Sequence, residues 1–234
     1  MIYAELSAEA FADITSRILY EDNHVLVINK RVGEIVQGDK TGDEPLCDTL
    51  KAFIAQRDSK PGRVFMGVPH RLDRPVSGIA MFAKTSKALE RLNEAFRDGS
   101  IYKTYWALTC AAPQPAEGEL KDMLLRNEKQ NKSYICKGGN PAAKEARLRY
   151  RTLRQFDRYT LVEVELLTGR HHQIRCQLSG IGCPIKGDLK YGAPRSNRDG
   201  GINLHARSIV FIHPTRKEPV TVVAPVEWPP FVQE

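Results

Sequence analysis

Glu145-Ala146-Arg147-Leu148-Arg149-Tyr150-Arg151-Thr152-Leu153 alternates strictly, with three arginines on one face and Ala146, Leu148, Tyr150 and Thr152 on the other. Period-two alternation marks a strand with one covered face and one wet face. Leu161 to Leu166 alternates too, with Glu163 and Glu165 on its polar side. A turn near Asp157-Arg158 joins the two into an antiparallel hairpin that sets arginines opposite glutamates. The arginine run invites reading as an RNA track, but a charge-paired solvent face is the expectation, because exposed opposite charges across a ladder pair readily.

Outward from that hairpin, strands and helices follow without a regular βαβα beat. Ala10, Phe11, Ile14 and Ile18 recur at helical spacing and predict a short N-terminal helix over 7–17. Ile18 to Tyr20 and His24 to Asn29 read as strands about an Asp22-Asn23 turn. Pro45 at a first helical position, with Leu46, Leu50, Phe53 and Ile54 on one face, predicts a second helix. Val64 to Val68 and Gly78 to Ala83 read as buried strands flanking a charged loop. Ser86 is placed to cap a helix bearing Leu89, Leu92 and Phe96 and closed by Gly99. Tyr102 to Cys110, Leu204 to Ile212 and Val220 to Val223 complete the strands. A further helix is expected after Thr168-Gly169, with Ile174 and Leu178 inward and Gly180 at its end. Strands mixed with a few helices in this order mean an α+β fold.

Composition sets the outer limits. With 234 residues, 41% apolar and 27% charged, the chain is globular and long enough to bury a core without staples. No apolar run reaches the ~20 residues of a membrane span. Glu5, Glu9 and Asp13 stand where a secretory signal would be basic, so a soluble, cytoplasmic protein is expected. The cysteines, 5 in number and never spaced CxxC, argue for reduced thiols and against a zinc ribbon. A net charge of +7 permits a polyanionic partner without demanding one.

Three stretches imitate known sites. Gly33 to Thr41 approaches a phosphate-binding loop, but Asp39 separates Gly38 from Lys40 and puts negative charge where phosphate would sit. His171 and His172 are adjacent on a predicted helix, so they should diverge and cannot form a zinc pair. No serine stands in a GxSxG elbow, so a serine hydrolase has no starting point.

Two other segments are dense in reactive residue types. Gly67-Val-Pro-His70-Arg71-Leu72-Asp73-Arg74-Pro75-Val76-Ser77-Gly78 sets one carboxylate among two arginines and a histidine, on a loop between strands. That is a setting for an anionic nucleophile or base, or for an ordinary loop salt-bridge cluster. Thr168-Gly169-Arg170-His171-His172-Gln173-Ile174-Arg175 brings two arginines to a helix start, able to grip an anion, pair a remote carboxylate, or simply solvate a helix end.

Together the two segments resemble pseudouridine synthases of the RluA family. His70-Arg71-Leu72-Asp73 with Ser77-Gly78 is similar to that family's HRLDxxTSG signature. Gly169-Arg170-x-His172-Gln173-Ile174-Arg175 and Gly182-x-Pro184-Ile185-x-Gly187-Asp188 with Tyr191-Gly192 are similar to its GRTHQIR and GxPIxGDxxYG stretches. Lys30-x-x-Gly33, Lys103-x-Tyr105-x-Ala107, Leu204-His205-Ala206 and His213-Pro214 match further elements in family order, over roughly residues 18 to 225. Arg31-Val32, Val76, His171 and Gln177 depart from the pattern without removing a group the chemistry needs.

The resemblance implies an α+β pseudouridine synthase fold, with a largely antiparallel central sheet, flanking helices and a basic cleft. Residues 1–17 form a short helical extension and 18–234 one catalytic domain. The implied reaction is isomerisation of specific uridines in ribosomal or transfer RNA, with base flipping and with neither cofactor nor metal. Asp73 takes the place of the catalytic aspartate, Arg175 of the arginine that pairs with it, and Tyr105 of the active-site tyrosine. Arg71 takes the place of the arginine that fills the gap left by the flipped nucleotide. His70, Arg170, Lys186 and Lys190 are the remaining expected substrate contacts. The loop from Lys186 to Arg198, with Arg195, is a candidate for phosphate contacts or a merely soluble loop. RNA is the expected partner of a monomer. An idle RNA-binding protein or RNA chaperone on the same scaffold is the alternative. A nucleoside hydrolase would need a second carboxylate to activate water, and the two segments offer no obvious one.

Overall fold

The computed structural model describes residues 3–39 and 42–228, so Lys40 and Thr41 of the phosphate-loop imitation lie outside the described residues. The chain divides into two compact units, Met1–Ile101 with Ile209–Pro225, and Tyr102–Ser208 with Val226–Glu234.

The first unit opens with α1 (Ala8–Arg17), which Ser7 caps by accepting the Ala10 N–H. β1 (Ile18–Glu21) and β2 (Val25–Lys30) follow, then α2 (Leu46–Arg57), β3 (Ser77–Ala83) and α3 (Ser86–Asp98). β1 pairs β2 and β2 pairs β3, both antiparallel, with Lys30 opposite Gly78 at one end. β2 and β3 read as nearly continuous apolar runs because both their faces are covered: Val25 to Ile28 and Ala80 to Ala83 are fully buried. The Phe11 and Phe53 rings, 4.7 Å apart, join α1 to α2. Thr85, not Ser86, caps α3 by accepting the Ala88 N–H, and Gly99 closes it in the left-handed conformation. Pro45 stands one place earlier than predicted, as the N-cap of α2.

The expected strand over 64–68 is not formed. Only Gly67 pairs, with Ala83, through bonds of 2.8 and 2.9 Å. A Cβ on Gly67 would come within 2.7 Å of the Leu89 side chain, so this segment passes close to α3 and a side chain there would make Leu89 shift.

The second unit contains β4 (Tyr102–Thr109), β5 (Glu117–Asn127), β6 (Lys132–Ile135), β7 (Lys144–Gln155), β8 (Thr160–Leu166) and α4 (Gln173–Gly180). β9 (Leu204–Ile212) begins in this unit and ends in the first, where β10 (Pro219–Val223) pairs with it. The strand order here is β9-β4-β8-β7-β5-β6, and the β4–β8, β8–β7, β7–β5 and β5–β6 pairs are all antiparallel. The opening hairpin has the predicted register, Arg149 opposite Glu165 and Arg151 opposite Glu163. Ala146, Leu148 and Tyr150 are buried, while the arginines, half-buried at Arg147 and exposed at Arg149 and Arg151, are ion-paired, Arg147 to Glu119, Arg149 to Glu119 and Glu165, Arg151 to Glu163. Glu119 lies on β5, a strand whose apolar positions are sparse and half-exposed. Cys176 of α4 covers the inner face with Leu124, Ala146 and Tyr191.

His213 of the His-Pro pair is wholly buried in the first unit. Its Nδ1 accepts the Thr215 and Arg216 N–H groups, and its Nε2 lies 2.7 Å from Asp22. The pair thus locks the β9–β10 turn onto the β1–β2 turn.

Candidate active site

Asp73 sits in a turn closed by the Val76 N–H on the Asp73 carbonyl, 3.1 Å. Its side chain is half-buried between buried Leu72 and exposed Arg74. What shapes this turn comes from β2. The Lys30 side chain is fully buried, and its ammonium donates to the carbonyl oxygens of Arg31 (2.8 Å), Arg74 (3.3 Å) and Val76 (2.7 Å). The Arg74 carbonyl also accepts the Gly33 N–H at 2.9 Å. The two glycine- and lysine-bearing positions of the upstream element are therefore the mount of the Asp73 turn. Burial lowers the Lys30 pKa to about 8, opposed by the negative charges of Glu34 and Asp73. Arg74 pairs with Asp43.

His70 and Arg71 differ in their surroundings. The His70 ring stacks on Phe96, centroids 4.8 Å apart, and its Nε2 accepts the Met81 N–H at 3.0 Å. His70 thus anchors its loop to α3 and β3. Arg71 is exposed.

In the second unit, Tyr105 projects from β4 opposite Val164 and is 8% exposed. Arg175 lies in the first turn of α4 and is also buried. Its Nε and Nη2 grip the two oxygens of Asp188 at 2.6 and 2.9 Å, a bidentate pair with both side chains buried. The Arg175 guanidinium carbon also stands 5.0 Å from the Tyr191 ring centroid. The Tyr191 hydroxyl in turn accepts the Ser133 N–H at 2.8 Å and lies 3.0 Å from His172 Nδ1. Burial, reinforced by Arg175, drives the His172 pKa far below the ordinary imidazole range, so this ring is neutral. Asp188 and Tyr191 carry no role in the sequence reading, although both belong to the quoted Gly-Asp-x-x-Tyr-Gly stretch. Only the pairing shows that they hold Arg175. Gly187, just before Asp188, has φ +90° and a Cβ there would lie 2.7 Å from the Gly201 carbonyl.

α4 begins at Gln173, not just after Gly169, and His171 and His172 precede it. The two histidines do not diverge: their rings stack at 3.8 Å, because His172 takes the left-handed conformation at φ +53°. His171 bonds Asn131 and Ser133. Among the described residues no three His, Cys, Asp or Glu side chains are grouped to hold a metal ion. Gln173 closes the loop ahead of the helix, accepting from Thr168 Oγ1 and the Arg170 N–H and donating to the Arg147 carbonyl. Arg170 is exposed and donates from Nε to the Glu145 carbonyl. Lys186 bonds Asn197 (2.7 Å) and Asn203 (3.2 Å), which ties the base of the 186–198 loop together. Lys190, Arg195 and Arg198 are exposed, with the Lys190 ammonium 3.0 Å from the Asn131 carbonyl.

Residues 24–180 match the family model described as RNA pseudouridylate synthase. The chain belongs to the RNA pseudouridylate synthase family. It is an isomerase of that family, which converts uridine to pseudouridine. It is 33% identical over 221 residues to ribosomal large subunit pseudouridine synthase C of Vibrio vulnificus (strain CMCP6), covering 92% of this chain and 67% of that protein. The protein of the same name from Escherichia coli (strain K12) is 33% identical over 93% of this chain and 68% of its own length. The structure of human RNA pseudouridylate synthase domain containing 4 superposes with a TM-score of 0.77 at 26% identity, covering 97% of this chain and 95% of that one. The fold is therefore the α+β pseudouridine synthase fold, and an idle binding protein is not the favoured reading. Among the described residues no helix is long and apolar enough to cross a membrane.

Proposed function

We propose that this synthase isomerises uridine in the RNA of the large ribosomal subunit, using Asp73 as its catalytic carboxylate with Tyr105 and Arg175, and without metal or cofactor. The reaction breaks the C1′–N1 bond, turns the base, forms a C1′–C5 bond, and moves one proton from C5 to N1, so nothing is gained or lost overall. Asp73 attacks, or assists departure at, the ribose or uracil ring. Tyr105 lies against the uracil and takes the C5 proton. Arg71, exposed two residues before Asp73, fills the gap left by the flipped base. Arg170 and Lys190 meet phosphates, while His70 and Lys186 hold the loops that do.

The observation that carries this reading is the Asp73 turn: its Arg74 and Val76 carbonyls are pinned by a buried ammonium while the Asp73 side chain stays half-open. A loop salt bridge alone needs no such mount. The relatives named for the large ribosomal subunit support the choice of RNA. With a ribosomal substrate the enzyme works in the cytoplasm. It acts there as a monomer, residues 18–234 forming its catalytic domain.

Asp73→Asn is nearly isosteric and removes the charge. Release of tritium from uridine labelled at C5 should fall at least ~10⁴-fold, with RNA affinity kept within about tenfold. A variant that still isomerises uridine would end the assignment of Asp73. Pseudouridines that vanish only from transfer RNA when the protein is deleted would end the choice of ribosomal RNA.

A further inference from the structure

Lys30 is the mount of the Asp73 turn, and the structure also shows what fixes Lys30. The peptide groups on either side of it are both held by one ion pair. Arg17, in the last turn of α1, grips Glu34 through Nη1 and Nη2, each at 3.0 Å. The same Arg17 Nη1 donates to the carbonyl of Asn29, the residue before Lys30, at 3.2 Å. The same Glu34 carboxylate accepts the N–H of Arg31, the residue after Lys30, at 2.7 Å. Asp13 braces the assembly from α1, meeting Arg17 at 2.8 Å and the Arg31 side chain at 2.6 Å. Arg17 is 9% exposed, so this is no casual surface contact.

We propose that the Arg17–Glu34 pair is a positioning device for catalysis, clamping Lys30 from both sides so that its ammonium holds the Asp73 turn in its working shape. The proposal rests on the assignment of Asp73 made above. It gives the N-terminal helix a part in the reaction, although α1 precedes the residues matched to the family, 24–180. The physical argument is one of lever and fulcrum. A lysine side chain has a flexible four-carbon stem, and its ammonium can serve three carbonyls at once only if the backbone under it stays put. The β2–β3 ladder holds Lys30 on one side, where it faces Gly78. The backbone leaves the strand immediately afterwards, and there the Glu34 bond to the Arg31 N–H takes over. Neither Arg17 nor Glu34 touches the Asp73 turn by any bond described, so each acts through Lys30.

The test uses the full chain, with total RNA labelled with tritium at uracil C5 and taken from cells lacking the protein. Glu34→Met, which keeps the side-chain length but offers the Arg31 N–H no oxygen, and Arg17→Met should slow single-turnover tritium release about ten- to a hundredfold, the scale of a misplaced reacting group. RNA affinity should stay within about twofold of the parent, which also reports that each variant is folded. Should Arg17→Met fail to fold, Glu34→Met, at the less buried side chain of the two, decides alone. The exchanged pair, R17E with E34R, restores opposite charges but neither backbone bond, and at parent-like RNA affinity it should remain slow. Single variants at the parent rate, or an exchanged pair that recovers it, would overturn the proposal by reducing the contact to a helix-docking ion pair. Failure of the underlying site assignment looks different: Asp73→Asn would then release tritium, whatever the Arg17 variants do.

Discussion

The two units hold the side chains proposed to serve the reaction by opposite means. In the first, a buried cation is surrounded by neutral carbonyl oxygens, and it shapes the Asp73 turn through backbone dipoles. In the second, Arg175 is held by a buried carboxylate, Asp188, in a bidentate pair. A cation held by carbonyls can give up its proton at modest cost, because burial already favours the neutral amine. An arginine held by a carboxylate cannot, since guanidinium stays charged and its partner would be left buried alone. The first mount is therefore titratable and the second is all-or-none.

The sharpest test of that contrast is Arg175→Met. If Arg175 served only an aspartate in the reacting site, its loss would slow the chemistry and leave the fold intact. With Asp188 2% exposed, the variant instead strands a buried carboxylate and should lose roughly 3 to 5 kcal/mol of stability in chemical denaturation. Restoration of stability, but not of turnover, by adding Asp188→Asn would confirm the pair as the second mount. An Arg175→Met protein as stable as the parent would break the comparison.

Next in size is the pH response of Lys30. Its folded pKa of about 8 lies below the ordinary 10.5, so between those values the unfolded chain binds a proton the folded chain lacks. Stability contributed by this group therefore rises with pH across that window. Turnover should move the other way, falling above about pH 8 as the ammonium that grips the turn is lost. Opposite slopes for melting temperature and single-turnover rate are the expected signature, and Lys30→Met should abolish both. Parallel slopes would mean that the ammonium charge does not shape the turn.

The smallest effect belongs to the exposed ladder. Arg149 reaches Glu119 and Glu165 at 3.3 Å each, with its side chain 56% exposed. Solvent screens such pairs, so Arg149→Ala should move the melting temperature by no more than about 2 °C. It should also leave RNA affinity unchanged, since the arginines of this face are paired. A clear drop in affinity would revive the reading of the run as an RNA track.

Much of this was legible in the sequence for reasons that are local. Strict alternation in 145–153 and 161–166 determines two strands with one covered face, and the sign of their charges determines the cross-strand pairing. Helical spacing in α1 and α2, the cap before α3 and the glycine after it are likewise decided within a few residues, because caps and amphipathic faces are nearest-neighbour matters. The quoted motifs, through their resemblance to a known family, were enough to point to a uridine isomerase, since the order of residue types along the chain is itself sequence information. What no local signal carries is who holds whom. The strand expected at 64–68 failed because continuous apolar character does not distinguish a strand from a partly buried connecting segment, in which Val64 and Met66 are buried and Phe65 is exposed. The helix after Gly169 began late because His172 adopts a left-handed backbone that its own side chain does not demand. Lys30 reaching the Arg74 and Val76 carbonyls, Asp188 claiming Arg175, and Arg17 spanning Asn29 and Glu34 are contacts between residues far apart in sequence or separated by a turn of chain. Their energies depend on burial and on angles set by the packed whole, so only the tertiary structure decided them.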